Sequence, residues 1–312
     1  MNRPRTSKAD PTSGRSGSFT ANLVAMRCAL DASLAAFLEE ELDDLAPRVA
    51  EAVRYSVLSP GKRIRPFLLM AAYRACGGES PAIADLAISV ELVHAYSLVH
   101  DDLPCMDDDV LRRGRPTVHV KFGVPVAVLT GAALMPLAVR AIVRGARNLG
   151  LADEPVSELV RVLTKASGAS GMVGGQLLDL QAEGRPIKRA ELERIHMGKT
   201  ARLIEAAVVM GGIAAGATGS AVGALHRFGR DLGLAFQAVD DILDMKGTAG
   251  ELGKESGRDL ALGKATYPSL FGLEEAERIS REFADSAIGE LSVLPHPAEL
   301  EAIASYVIER RH

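Results

Sequence analysis

Two stretches that otherwise read as apolar helix each carry a cluster of aspartates, DDLPCMDDD at 101–109 and DDILD at 240–244, about 140 residues apart. A carboxylate on an apolar helix face costs several kcal/mol to bury unless a cation compensates it. Five acids stand in the first cluster and three in the second, with no base inside either. The fold must therefore bring cations to both. Oxygen-only ligand sets select hard ions, Mg²⁺ rather than zinc or iron, and Mg²⁺ held by a few carboxylates keeps positions for the phosphate oxygens of a substrate. A solvated acidic face is the ordinary meaning of a charge run. Two such clusters in apolar surroundings make it the weaker reading.

Spacing refines the expectation. Asp240 and Asp244 are i and i+4 and share a helix face, with Asp241 on its flank. Pro104 removes an intrahelical bond and should end the first helix. The Leu-Pro-Cys-Met insert would then return Asp107 toward Asp101, with Asp102 beside it.

The rest of the chain reads as all-α. Hydrophobic residues make up 47% and aromatics only 4%, and apolar stretches with helical spacing recur where alternating β-branched runs do not. Helices are expected at 66–76, from 82 into the first acidic motif, and over 124–148, 155–182, 189–218, 221–245, 268–289 and from 297. Residues 112–116 read as loop, and 244–266 as a connection long enough to be functional. No linker, composition shift or repeat divides the 312 residues, so a single helical domain over 21–312 is expected. Residues 1–20, rich in Ser, Thr, Pro and Arg and without the apolar core of a signal peptide, read as a disordered tail. Residues 122–139 and 206–225 lack charge. Their prolines, or their Ala-Gly composition, favour helices buried on all sides over stable membrane insertion. The net charge of −4 argues against nucleic acid. Cys28, Cys76 and Cys105 show no CxxC spacing and fit a reducing, cytoplasmic setting.

Basic residues suggest a second anion. Lys62 and Arg65 lie i, i+3 in a Pro-flanked loop, where the planar fork of arginine suits phosphate oxygens. His94 lies seven residues before Asp101, two turns down one face. Arg112 and Arg113 follow the first cluster, and Lys199-Thr200, Lys254 and Lys264 accompany the second. Taken singly, each is most simply a surface charge. As a set flanking two acidic motifs they suggest one diphosphate held through metal and another held by Arg and Lys directly.

With these motifs the chain resembles the trans-isoprenyl diphosphate synthases. The segments that carry the likeness are GKRIRP (61–66), HAYSLVHDDLPCMDDDVLRRGRPTVH (94–119), GMVGGQLLDL (171–180), GKT (198–200), FQAVDDILD (236–244) and LGK…GKATYP (252–268). It runs from about residue 30 to the C-terminus, and the bacterial short-chain group, above all the farnesyl diphosphate synthases, looks most similar. The resemblance implies a bundle of ten or more helices around a deep cavity, usually a homodimer, with three Mg²⁺ ions for which Mn²⁺ can substitute. Asp101, Asp102 and Asp107 would hold Mg²⁺ on the allylic diphosphate from one wall. Asp240, with Asp241 and Asp244 as weaker contributors, would do so from the other. Arg112, Lys199, Thr200, Gln237, Lys254 and Lys264 would steady that diphosphate, while Lys62, Arg65, His94 and Arg113 would clasp isopentenyl diphosphate. The carbonyls of Lys199 and Gln237, where the helices would kink, would stabilise the allylic cation.

The expected activity is a prenyltransferase making the C15 product, with the C20 geranylgeranyl product as runner-up. Tyr96, five residues before Asp101 and followed by Ser97, favours the shorter chain. A class I terpene cyclase is the main rival, and a regulatory subunit of a heteromeric synthase the non-enzymatic one. The first needs no second diphosphate pocket, and the second would be expected to have lost an aspartate motif.

Overall fold

The computed structural model describes residues 12–246 and 263–309. Among these, helices supply every element except one two-stranded hairpin. Helix α1 (Thr12–Glu41) buries Leu30, Leu34, Phe37 and Leu38, the i, i+4, i+7, i+8 stripe of an amphipathic helix. It extends N-terminally into the stretch expected to be disordered: adding a turn to a helix already nucleated is far easier than starting one. Helix α2 (Pro47–Val57), which the sequence did not suggest, starts on Pro47 and buries Ala50, Val53 and Val57. Helices α3 (Ile64–Ala75) and α4 (Ile83–Asp101) follow, and then the hairpin β1 (Leu111–Arg112) and β2 (Arg115–Pro116), where loop was expected.

Helices α5 (Val118–Phe122) and α6 (Val124–Asn148) come next. The expected helix at 155–182 is two helices, α7 (Asp153–Ser167) and α8 (Met172–Ala182), because Gly168 and Gly171 interrupt it. Helix α9 (Arg189–His196) passes through a π-helical turn at Met197–Ala201 into α10 (Arg202–Ala214). Helix α11 (Gly219–Lys246) runs past Gln237 as one α-helix. After it come α12 (Tyr267–Phe271), α13 (Leu273–Gly289) and α14 (Ala298–Glu309), with Gly272 dividing what the sequence presented as one helix.

Helix α10 is the hub. It packs on α3, α4, α7 and α11, while α4 packs most extensively on α6 and α11 on α13. One apolar cluster, from Leu30 to Val307, fills most of the bundle, and a smaller one surrounds Tyr267. Helices α4 and α6 have the length and hydropathy of membrane spans, yet they lie against each other within the bundle. Residues 122–139 are not buried on all sides as expected. Val124, Val128 and Leu129 leave an apolar face of α6 exposed.

Candidate active site

Helix α4 ends at Asp101, and the chain turns back on itself as Pro104 requires. The Asp107 N–H donates to the Asp101 carbonyl at 2.9 Å, so the insert does bring the two acids together. Burial pushes the Asp101 carboxyl from an ordinary 3.8 up to about 6, Lys199 partly opposes this, and Asp107 and Asp102 add to it. Burial would also raise Asp107, but Lys199 and Lys264 outweigh it and hold that carboxyl below its usual range.

Two lysines and two aspartates interlock here. Lys199 Nζ donates to Asp179 Oδ2 at 2.6 Å, and Lys264 Nζ to Asp107 Oδ1 at 3.0 Å while lying 3.9 Å from Asp179. Burial would lower the Lys199 ammonium, yet Asp179, Asp101 and Asp107 prevail and raise it. This contact depends on two glycines. A Cβ on Gly175 would stand 2.0 Å from the Lys199 backbone nitrogen, and one on Gly198 would stand 2.8 Å from Gly175. Their absence lets α8 approach the π-turn, and Asp179, one turn beyond Gly175, reaches Lys199. Asp179 lies in a motif already singled out, but sequence reasoning gave it no role. A lone carboxylate four residues after a glycine pair on an apolar helix was the available signal. Gln176, one turn earlier on the same helix, is buried with both amide atoms lacking a protein hydrogen-bond partner.

The π-turn joins this wall to the second acidic motif. Thr200 Oγ1 donates to Gln237 Oε1 at 2.6 Å, and Gln237 Nε2 donates to Asp241 Oδ1 at 2.9 Å. The other Asp241 oxygen accepts the Tyr267 N–H at 3.0 Å, with buried His196 3.8 Å away. Asp241 is thus spent on internal bonds, on the flank that the spacing gave it. Asp240 is partly exposed, and Asp244 is buried one turn on. Lys254 lies outside the described residues.

Asp102 turns the other way. Its Oδ1 accepts from Arg112 Nε at 2.8 Å and Nη2 at 2.5 Å, and Arg112 also reaches Asp109 at 2.8 Å. Arg112 is therefore fixed beside the first cluster by Asp102, which was expected as a metal ligand. Arg113, at φ +53° in the hairpin turn, donates to the Pro60 carbonyl in the loop that carries Lys62. His94 lies among arginines. Burial, then the charges of Arg65, Arg113, Arg112 and Arg63, hold its imidazole well below the usual range and so neutral.

Tyr96 packs edge-on against His100, with ring centroids 4.9 Å apart. His100 Nε2 lies 3.2 Å from the Val128 carbonyl of α6, and Ser97 Oγ donates to the His94 carbonyl at 2.9 Å. His100, which backs the Tyr96 ring, was not singled out in the sequence.

The donor set suits Mg²⁺. Among the described residues no three acidic, His or Cys side chains are gathered tightly enough to hold an ion unaided. Mg²⁺ asks for less, one or two carboxylates with substrate phosphate oxygens completing its shell. Asp101, desolvated beside like charges, is a carboxylate short of cation.

A family model described as polyprenyl synthetase matches residues 46–305. The chain belongs to the polyprenyl synthetase family. Its relatives in that family include the farnesyl diphosphate synthase of Escherichia coli (strain K12), 46% identical over 267 residues, covering 84% of this chain and 89% of that one. Another is geranylgeranyl pyrophosphate synthase 11, chloroplastic, of Arabidopsis thaliana, 45% identical over 271 residues, 85% of this chain and 75% of that one. The geranyltransferase of Helicobacter pylori, solved with magnesium and isoprenyl diphosphate, superposes with a TM-score of 0.81 at 30% identity, covering 98% of this chain and all of that one. Like its relatives in the polyprenyl synthetase family, the chain is a prenyltransferase with an all-α fold.

Proposed function

We propose that this chain is a farnesyl diphosphate synthase, joining isopentenyl diphosphate to dimethylallyl and then to geranyl diphosphate. Support comes above all from the segregation of charge. Aspartates interlocked with Lys199 and Lys264 form one region, and a neutral His94 among arginines forms another. A terpene cyclase, with one diphosphate to bind, has no use for the second.

In this reading Asp101, Asp107, Asp240 and Asp244 hold Mg²⁺, three ions in all, with Asp102 and Asp241 acting mainly by fixing Arg112 and Gln237. Bound Mg²⁺ supplies positive charge to the allylic diphosphate as it leaves. Lys199, Lys264 and Arg112 add theirs from fixed positions, and preorganised charge lowers the barrier to C–O cleavage. Lys62, Arg65, His94 and Arg113 hold isopentenyl diphosphate so that its double bond meets the cation in near-attack geometry. The Lys199 carbonyl, in the π-helical turn at Met197–Ala201, would stabilise that cation. The proton lost after condensation passes to the released diphosphate.

A homodimer is supported by the exposed Val124, Val128 and Leu129 on α6, an apolar face of the kind partners cover. A cytoplasmic setting is supported by the free thiols of Cys28, Cys76 and Cys105. Identity of 45% to a geranylgeranyl synthase keeps the C20 product as the second reading. The deciding experiment incubates the pure chain with Mg²⁺, labelled isopentenyl diphosphate and either primer, followed by chromatography of the dephosphorylated products. A C15 alcohol is expected. C20 would replace the main reading by the second, and a hydrocarbon made from a single allylic substrate would overturn both.

A further inference from the structure

The loop carrying Lys62, with the first turn of α3 that carries Arg65 instead of the loop expected there, is built around a residue with no part in the functional reading so far. Arg63 is the N-cap of α3 at φ +54° and ψ +32°, a left-handed conformation that side chains other than Gly, Asn and Asp rarely adopt. Its side chain is almost wholly buried, at 5% exposure. Every nitrogen of its guanidinium is used. Nε donates to Asp31 Oδ1 of α1 at 2.9 Å, and Nη1 to Glu91 Oε1 of α4 at 2.5 Å. Nη2 donates to the carbonyls of Val57 at 3.0 Å and Ser59 at 3.1 Å, where α2 ends. One planar fork thus ties the end of α2 and the start of α3 to α1 and α4. Glu91 is itself buried and lies three residues before His94, on the same face of α4.

The loop is gripped from its other side as well. Arg113 donates to the Pro60 carbonyl, and a Cβ on Gly61 would stand 2.6 Å from Arg113 Nη1. Buried ion pairs add little net stability over apolar packing and are best attested as devices that fix one arrangement. Strained backbone of this kind clusters at functional sites, where the surroundings hold it. Here Asp31 and Glu91 offset the charge of Arg63, a permanent cation beside Lys62 and Arg65.

We propose that the Asp31–Arg63–Glu91 triad is a positioning device for the metal-free diphosphate site, setting the loop that presents Lys62, and the first turn of α3 that presents Arg65, opposite His94. It rests on the reading of that loop as the isopentenyl diphosphate site. Arg63 does not touch substrate. Its loss should raise the KM for isopentenyl diphosphate and leave kcat and the allylic KM alone.

The test uses the full chain with Arg63→Lys, which keeps the charge and loses the fork, and Glu91→Gln, which keeps the shape and loses the charge. Arg63→Met/Glu91→Met, which removes the pair together, guards against a folding defect from one unpaired buried charge. Each should raise the KM for isopentenyl diphosphate about tenfold or more. The allylic KM and kcat should stay within about twofold, and amide exchange at residues 58–63 should quicken while circular dichroism is unchanged. Faster exchange with an unchanged KM for isopentenyl diphosphate would overturn the proposal, as would an equal rise in both KM values. Lys62→Ala is the control. If it leaves the isopentenyl KM unchanged, the loop is not the isopentenyl site and the functional reading itself fails.

Discussion

Replacing Asp101 by Asn should stabilise the metal-free protein while abolishing turnover. Burial beside Asp107 and Asp102, only partly offset by Lys199, raises the Asp101 carboxyl from 3.8 to about 6. Each pKa unit corresponds to about 1.4 kcal/mol, so the ionised group costs the apoprotein at most about 3 kcal/mol at neutral pH. The sign follows from proton binding. Between pH 4 and 6 the native state holds a proton that the unfolded chain has lost, so this group's contribution falls as pH rises through that window and is constant above it. Below about pH 4 the variant and wild type should melt together. By pH 7, in chelator, Asp101→Asn should melt higher, by roughly 5 °C if the whole 3 kcal/mol is released. Mg²⁺ with inorganic diphosphate should then raise the wild-type melting temperature and leave the variant's nearly unmoved. Scanning calorimetry from about pH 3 to 8, with and without ligand, reads both effects. A variant that melts at or below wild type at pH 7 in chelator would refute the idea that Asp101 is a carboxylate held in want of a cation.

Other residues give sharper contrasts. Lys62→Ala and Arg113→Ala should raise the KM for isopentenyl diphosphate by about ten- to a hundredfold, the cost of one charge-assisted phosphate contact, whereas Arg112→Ala should lower kcat; steady-state kinetics with each substrate varied in turn separates these, and equal effects on both substrates would undo the two-site assignment. Asp240→Asn should weaken Mg²⁺ activation strongly, while Asp241→Asn, whose internal bonds an amide can partly keep, should leave the Mg²⁺ dependence near wild type; equal shifts in Mg²⁺ titrations would return Asp241 to the ligand set. Tyr96→Ala should lengthen the product beyond C15, because five residues at a rise of about 1.5 Å put the ring roughly 7–8 Å below Asp101; an active variant that still stops at C15 by chromatography would move the floor of the cavity elsewhere.

Helical spacing alone determined the fold class and most helix positions, because burying one face of a helix writes a 3.6-residue period into the chain. It also determined the return of Asp107 to Asp101, since Pro104 and a four-residue insert leave the backbone little alternative. Charge in an apolar context was enough to mark Asp101, Asp240, Lys199 and the arginines as a set. What only the tertiary structure decided is which partner each acid meets. Asp101 and Asp102 are neighbours of identical chemistry, both raised by burial, yet the first lies beside Lys199 and the second is bonded to Arg112. Asp241 is committed in its turn, by bonds from Gln237 and from Tyr267, 26 residues further on. The partners of Arg63 and Lys199 were equally out of reach. Asp31 and Glu91 meet Arg63 from 32 and 28 residues away, and Asp179 meets Lys199 because Gly175 and Gly198 let two helices touch. A local pattern records which face a residue occupies. The group that faces it across the bundle depends on how whole helices pack, and no spacing within one helix carries that information.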